Sequence, residues 1–190
     1  MVKAVIFDLY GVLALNGWQA FKSQHFSENP AAAQELFELG RQVDAGLAEY
    51  RDFVRLAAQQ TGESEATVRY QLEHTVANAP LLEYIKAELT PRYRVGILSN
   101  ASSDDVLGQV FTTEERRLFD AVTFSHHVGH TKPEPEMYEA AAVRLGVEVG
   151  DCVFIDDQAR HVRGAEDAGM RGLLYADVAQ LKAELSGVFQ

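Results

Sequence analysis

Val2-Lys3-Ala4-Val5-Ile6-Phe7-Asp8 is a compact apolar run, broken once by Lys3, that ends in an aspartate. Buried parallel strands read this way, as near-continuous branched and aromatic residues without polar alternation. Later runs repeat the pattern. Tyr93-Arg-Val-Gly-Ile-Leu-Ser99 leads into Asn100, Asp151-Cys-Val-Phe-Ile155 into Asp156-Asp157, and Gly172-Leu-Leu-Tyr175 into Ala176-Asp177. Ala121-Val-Thr-Phe124 is a weaker strand. Helical patterns lie between them. Leu81, Leu82, Ile85 and Leu89 share a helix face that stops at Pro91. Residues 133–145 carry Met137, Ala141 and Leu145 in one stripe, with Gly146 as the stop. Residues 159–168 end at Gly169, and residues 178–185 form the last helix. Strand–helix alternation over residues 81–190 predicts an α/β fold: a Rossmann-like, three-layer core with an open parallel sheet between helices.

Residues 15–79 differ. They hold no convincing strand, and residues 31–43, 48–60 and 64–77 each have helical spacing. Ser64 is an N-cap candidate with Thr67, not Glu, three residues on, so half a capping box is expected. The expected organisation is a core of 1–14 plus 80–190, with a small α-helical insert over 15–79.

Composition narrows the class. A 190-residue chain with 47% hydrophobic and 24% charged residues has an ordinary globular balance. At this size a single fold buries roughly 70% of its unfolded surface and needs no covalent staple. Lys+Arg 17 against Asp+Glu 28 leaves a net charge of −11, the wrong sign for a nucleic-acid or anionic-membrane binder. One cysteine, Cys152, excludes an internal disulfide; it reads as a buried, inert thiol of a cytoplasmic protein. The opening apolar run is too short for a signal peptide, and no stretch has the length of a membrane span.

Open parallel sheets bind ligands at the carboxyl ends of their strands. Asp8, Ser99, Asn100, Asp156 and Asp157 all follow strands, and Lys132 precedes a helix opened by Pro133. Clustered carboxylates repel unless a cation lies among them. Oxygen-only donors suit Mg²⁺, which keeps waters for a substrate phosphate. Ser99 can donate to a phosphoryl oxygen, and Lys132 can neutralise charge that develops in transfer. Asp8 is placed to attack phosphorus and form an aspartyl-phosphate.

These residues, in order, resemble the haloacid dehalogenase-like hydrolases over nearly the whole chain. Motif one reads Phe7-Asp8-Leu9-Tyr10-Gly11-Val12, motif two Leu98-Ser99-Asn100, motif three Thr131-Lys132-Pro133-Glu134-Pro135-Glu136-Met137-Tyr138, and motif four Phe154-Ile155-Asp156-Asp157. The insert resembles the family's small C1-type cap. The resemblance implies Asp8 as nucleophile and Mg²⁺ ligand, and Tyr10 as donor of a backbone carbonyl to the metal and a lining residue of the substrate site. It implies Ser99 and Lys132 as holders of phosphoryl oxygens. Asp157 would bind Mg²⁺ directly, Asp156 directly or through water, and Asn100 would hydrogen-bond near the substrate. The implied partner is a small phosphorylated metabolite, with no nucleic acid and no membrane, on a monomer or homodimer.

Tyr10 departs from the family pattern, in which a second aspartate two residues after the nucleophile serves as general acid and base. A phenol with a reference pKa of about 10 is a poor base at neutral pH. Losing such a group typically costs about 10²- to 10⁴-fold in rate. Asp8-Leu9-Tyr10-Gly11 also resembles the L-2-haloacid dehalogenase branch, as does a tyrosine, Tyr138, six residues after Lys132. That branch uses no metal and tends to carry Ser and Asn where this chain has Asp156 and Asp157. Three readings follow: an Mg²⁺-dependent phosphatase, impaired by Tyr10; a metal-free dehalogenase; and a binder of a phosphorylated ligand without turnover. Tyr138 is also expected to pack, Arg41 to be a solvated helix residue, and Trp18, Phe21 and Phe26 to form the core of the insert. His126, His127 and His130 read as a loop leading to Lys132, because the sequence shows no second ligand cluster for zinc beside them.

Overall fold

The computed structural model describes residues 1–26, 30–44, 48–101 and 104–189, without the side chains of Pro30, Arg41, Gln42 and Asp44. Five strands form one parallel sheet: β1 (Ala4–Phe7), β4 (Arg94–Ser99), β5 (Ala121–Phe124), β6 (Cys152–Asp156) and β7 (Arg171–Leu174). Their order is β5-β4-β1-β6-β7, so β1 is central, with β4 on one side and β6 on the other. The order reverses at β1, and its two neighbours diverge from the point where Asp8 emerges. That is where an open α/β sheet leaves a crevice.

The strands lack polar alternation because both faces are covered. Val5, Phe7, Val95, Ile97, Val153 and Ile155 point into one core. Ala4, Ile6, Leu98, Cys152 and Phe154 point into the other. The first core is closed by Leu81 and Leu82 of α5 (Ala79–Tyr84), by Ile85 and Leu89 beyond it, and by Leu181 and Leu185 of α11 (Val178–Val188). The second is closed by Met137, Tyr138, Ala141 and Leu145 of α9 (Pro135–Leu145) and by Ala165 of α10 (Ala159–Asp167). Each fully buried aliphatic or aromatic side chain contributes roughly 1.5–3 kcal/mol. Cys152 lies in the second core, and burial pushes its thiol up to about 11.

Several expected boundaries shift for identifiable reasons. The helix expected to stop at Pro91 begins as α5 and passes into a π-helical turn over Ile85–Leu89, closed by Thr90 N–H donating to the Ile85 carbonyl. Helix α9 begins at Pro135 rather than residue 133, because Glu134 is extended and stands as the N-cap. Residues 125–128, expected as loop, make a one-turn helix, α8 (Ser125–Val128), stopped by Gly129 in the left-handed conformation. Two short helices, α6 (Asp105–Val110) and α7 (Thr113–Arg116), connect β4 to β5. Neither is long enough for hydrophobic periodicity to show.

Contacts divide the chain into two units, Met1–Ala14 with Ala77–Gln190, and Leu15–Val76. The second unit contains α1 (Gly17–Phe26), α2 (Pro30–Asp44), α3 (Tyr50–Thr61) and α4 (Glu65–Glu73). Its core holds Phe21, Phe26, Leu36, Phe53, Val54, Ala57 and Val68. Trp18 is partly buried and meets Phe53 edge-on, with centroids 5.8 Å apart. Ser64 caps α4, accepting from Thr67 N–H at 3.1 Å. The helix expected over 64–77 ends at Glu73, and Val76–Ala77 is a short strand, β3, paired with β2 (Ala14–Leu15). These two-residue strands are where the chain passes between the units. The expectation for Arg41 falls on a side chain outside the described residues. No described helix is long and apolar enough to cross a membrane.

Candidate active site

Strand β1 delivers Asp8 to the carboxyl edge, buried, with its backbone N–H donating to the Ile155 carbonyl at 2.8 Å. Strand β6 delivers Asp156, fully buried, and β4 delivers Ser99, also buried. Lys132 arrives from the segment before α9. Its Nζ lies 2.7 Å from Asp8 Oδ1 and 2.7 Å from Asp156 Oδ2. It also sits 5.3 Å from the centre of the Phe154 ring. One buried ammonium therefore bridges two buried carboxylates. Such a cluster persists only when each charge is paired and hydrogen-bonded.

Further donors reach both carboxylates. Asp8 Oδ1 also accepts from Leu9 N–H at 2.6 Å. Asp156 Oδ1 accepts from Gln158 N–H at 2.8 Å. His161, on α10, places Nδ1 3.1 Å from Asp156 Oδ2 and 3.2 Å from Oδ1. Burial holds the His161 imidazole below its usual pKa, against the pull of Asp156, so the ring is neutral with its proton on Nδ1. Burial raises Asp8 to about 7; the Lys132 ammonium opposes that rise and Asp156 adds to it. Asp157 is raised by burial and by neighbouring Asp156.

Asn100 braces the lysine segment. Its Oδ1 accepts from Lys132 N–H at 2.8 Å, and its Nδ2 donates to the Lys132 carbonyl at 3.2 Å. The residue expected to reach the substrate thus fixes the backbone that carries Lys132. Ser99 Oγ accepts from Ala101 N–H at 3.2 Å, and a hydroxyl that accepts there still has a hydrogen to give.

The loop after Asp8 folds back on itself. Ala14 N–H donates to the Leu9 carbonyl and Gly11 N–H to the Ala14 carbonyl. These bonds flank Tyr10, whose own carbonyl takes no part in them, and the Tyr10 side chain is exposed. Gly11 has φ +87°, and an added β-carbon there would lie 2.2 Å from Asp157 Oδ2. The Asp157 carboxylate therefore rests directly against the turn. Buried Asn78 holds this loop from behind, donating to the Val12 carbonyl and to the Tyr175 hydroxyl, both at 2.8 Å.

The expected metal donors separate into two kinds. Asp156 is engaged on both oxygens by Lys132, Gln158 and His161. Asp157 is exposed and lies beside Tyr10-Gly11, close in sequence to Asp8. Asp8, Asp157 and the Tyr10 carbonyl each offer a hard oxygen donor of the kind Mg²⁺ takes with retained waters, while the ligand atoms that lie within 4.8 Å of one another at Asp8 come from Asp8, Asp156 and His161. Tyr138, compared above with a dehalogenase tyrosine, is fully buried, and its hydroxyl donates to the His161 carbonyl at 2.8 Å. Its part is to tie α9 to α10. His161 and Asn78 escaped the sequence reading. For His161 the available signal was a histidine on the same helix face as Ala165, five residues after Asp156; nothing comparable marked Asn78.

A family profile described as haloacid dehalogenase-like hydrolase matches residues 2–169. The chain is 30% identical to a fructose-1-phosphate phosphatase of Escherichia coli, over 86% of this chain and 76% of that one. It is 31% identical to a phosphatase of Mycobacterium tuberculosis, over 78% of this chain and 63% of that one. A HAD family enzyme from Bacteroides thetaiotaomicron, solved in complex with magnesium and inorganic phosphate, has the same fold. It gives a TM-score of 0.57 at 22% identity, over 95% of this chain and 99% of that one. Among the curated relatives matched over most of this chain, it spans as little as 37% of their length.

Proposed function

We propose, from the premise that this chain belongs to the haloacid dehalogenase-like hydrolases, that it is an Mg²⁺-dependent hydrolase of a small phosphorylated metabolite. The observation that carries the reading is the Lys132 ammonium held 2.7 Å from both Asp8 and Asp156. A buried lysine so placed favours the anionic form of Asp8 against burial and presents positive charge where a phosphoryl group would dock. The two phosphatase relatives support a phosphorylated substrate.

In this reading Asp8 attacks phosphorus in line with the leaving oxygen and becomes an aspartyl-phosphate; water then releases phosphate and restores the carboxylate. Lys132 and Ser99 hold the non-bridging oxygens, and Asp156 and Asn100 hold Lys132. Asp8, Asp157 and the Tyr10 carbonyl would ligate Mg²⁺, which would offset the repulsion between phosphate and carboxylates. Tyr10 leaves the leaving group and the hydrolytic water without a carboxylate acid–base, so turnover is slow on alkyl esters. The helical insert, residues 15–79, acts as a small C1-type cap that selects the substrate.

Metal-free displacement of halide from a 2-halo acid is the second reading, and Tyr10 is the residue that favours it. Asp157 opposes it, since a carboxylate beside Asp8 repels a carboxylate substrate unless a cation intervenes. The test is a screen of phosphorylated sugars, nucleotides and p-nitrophenyl phosphate with Mg²⁺ and with chelator, alongside chloride release from 2-chloropropionate. Phosphate release that needs Mg²⁺ and vanishes in Asp8→Asn supports the proposal. Chloride release in chelator overturns it.

A further inference from the structure

Beside Ala101, outside the Asp8 cluster, three side chains that the proposed hydrolysis does not use converge. Asp104 precedes α6, and His126 and His127 are consecutive on α8. His127 Nε2 lies 3.2 Å from Asp104 Oδ1, and His126 Nε2 lies 3.4 Å from the same oxygen. The two imidazole centroids are 4.1 Å apart. The three residues offer ligand atoms that all lie within 4.8 Å of one another. We propose that Asp104, His126 and His127 form a second metal site, separate from the oxygen-donor rim at Asp8, that binds a borderline divalent ion of the Zn²⁺ class.

The tautomer of His126 is the first support. Its Nδ1 is 2.9 Å from the Ala101 carbonyl, which can only accept. Nδ1 therefore carries the hydrogen, and in the neutral ring Nε2 presents a lone pair toward Asp104. A lone pair facing a carboxylate oxygen at 3.4 Å is repulsive unless a proton or a metal ion lies between them. A ring N–H donated to a backbone carbonyl is also the usual outer-shell support of a metal-ligating histidine. The same carbonyl accepts from Ser125 Oγ at 3.3 Å, which fixes α8 against it.

The spacing is the second support. Four-coordinate Zn²⁺ with bonds of about 2.0–2.1 Å has ligands about 3.3 Å apart along each tetrahedral edge. The two separations from Asp104 are 3.2 and 3.4 Å. Octahedral Mg²⁺ would need edges of about 2.9 Å and prefers oxygen throughout. Two imidazoles with one carboxylate suit zinc and its neighbours. All three side chains are partly or well exposed, which leaves a fourth position to water. His130, grouped with these histidines in the sequence, instead faces Glu134 and Glu136. The missing ligand is Asp104, which reaches the pair only through the fold. An ion here would link the segment after Ser99-Asn100 to the helix that precedes Lys132.

The experiment uses the full chain, stripped with chelator and held in saturating Mg²⁺. Zn²⁺ binding is measured by calorimetry, and Co²⁺ is added to read the visible band of a four-coordinate ion. One ion per chain is expected in wild type, in His130→Ala and in Asp157→Ala. His127→Ala and Asp104→Ala should each weaken binding by more than the roughly 10- to 100-fold that an outer-shell partner alone is worth. Circular dichroism checks that these variants remain folded. Equal Zn²⁺ affinity in His127→Ala and wild type overturns the site. Loss in Asp157→Ala alone assigns the ion to the Asp8 rim and also overturns it. No binding to wild type leaves proton-bridged pairs and refutes the proposal. None of these outcomes depends on phosphatase activity.

Discussion

The carboxylate of Asp157 occupies the space that a side chain at Gly11 would fill: a β-carbon there would come 2.2 Å from Oδ2. The glycine is required twice, since its φ of +87° is also costly for any other residue. Gly11→Ala should therefore act on the metal as well as on the fold. Calorimetric titration with Mg²⁺ is expected to show weakened binding in Gly11→Ala and in Asp157→Ala alike, with Gly11→Ala also lowering the melting temperature. Wild-type Mg²⁺ affinity in both variants would remove Asp157 from the ligand set.

Lys132 neutralises two carboxylates at once, and its loss leaves them facing each other in a dry pocket. Removing one member of a buried ion pair typically destabilises by about 3–5 kcal/mol. Lys132→Ala should therefore lose both hydrolysis and stability. Adding Asp8→Asn to Lys132→Ala should recover part of the stability and none of the activity, because one of the unpaired charges is gone. Urea denaturation of the four proteins of the cycle measures the coupling. Additive losses would mean that Lys132 and Asp8 do not share the pairing described.

His161 tests whether the site depends on groups that never meet substrate. Its Nδ1–H holds Asp156, while its Nε2 is buried with no hydrogen-bond partner among the described residues. Hydrogen bonds to charged groups contribute about 1.5–3 kcal/mol. His161→Ala should lose about that much stability and lower kcat with little change in KM, because Asp156 and then Lys132 lose their alignment. His161→Gln, which returns a donor, should restore part of kcat. An unchanged kcat in His161→Ala would reduce the histidine to packing.

What was legible in the sequence, and what was not, follows from the range of each signal. The sheet was legible because parallel strands are buried on both faces, so Val5, Ile97 and Phe154 sit in unbroken apolar runs. The gathering of Asp8, Ser99 and Asp156 was legible because a sheet brings its strand ends to one edge, and Lys132 was marked by the Pro133 that follows it. Asn100 was singled out as a residue, but its engagement with the Lys132 backbone is a contact between distant segments that no local pattern encodes. His161 on α10 and Asn78 before α5 were hidden for the same reason. Helix α1 was missed because Trp18, Phe21 and Phe26 give too short an apolar stripe to separate from a loop. The one-turn α8 lies below the reach of periodicity altogether.

Tyr10 carries the last prediction. Its side chain is 47% exposed, and the hydrogen bonds of its turn run through Leu9, Gly11 and Ala14, so replacing it leaves the turn intact. If the site is a phosphatase lacking its acid–base carboxylate, the defect should depend on the leaving group. An aryl oxide departs without much protonation, so attack by Asp8 on p-nitrophenyl phosphate should proceed. Hydrolysis of the aspartyl-phosphate still needs a base, and a phenol is a poor one at neutral pH. The phosphorylated intermediate should therefore accumulate, giving a burst of p-nitrophenol followed by slow turnover. Tyr10→Asp should supply the base and raise steady-state turnover, up to the roughly 10²- to 10⁴-fold that general acid–base catalysis contributes. The gain should be larger on alkyl phosphates, whose leaving oxygen also needs the proton. Stopped-flow and steady-state rates with Mg²⁺, on both proteins and both ester classes, read these expectations directly. A wild type without a burst, together with a Tyr10→Asp variant no faster than wild type, would show that Tyr10 does not limit this site.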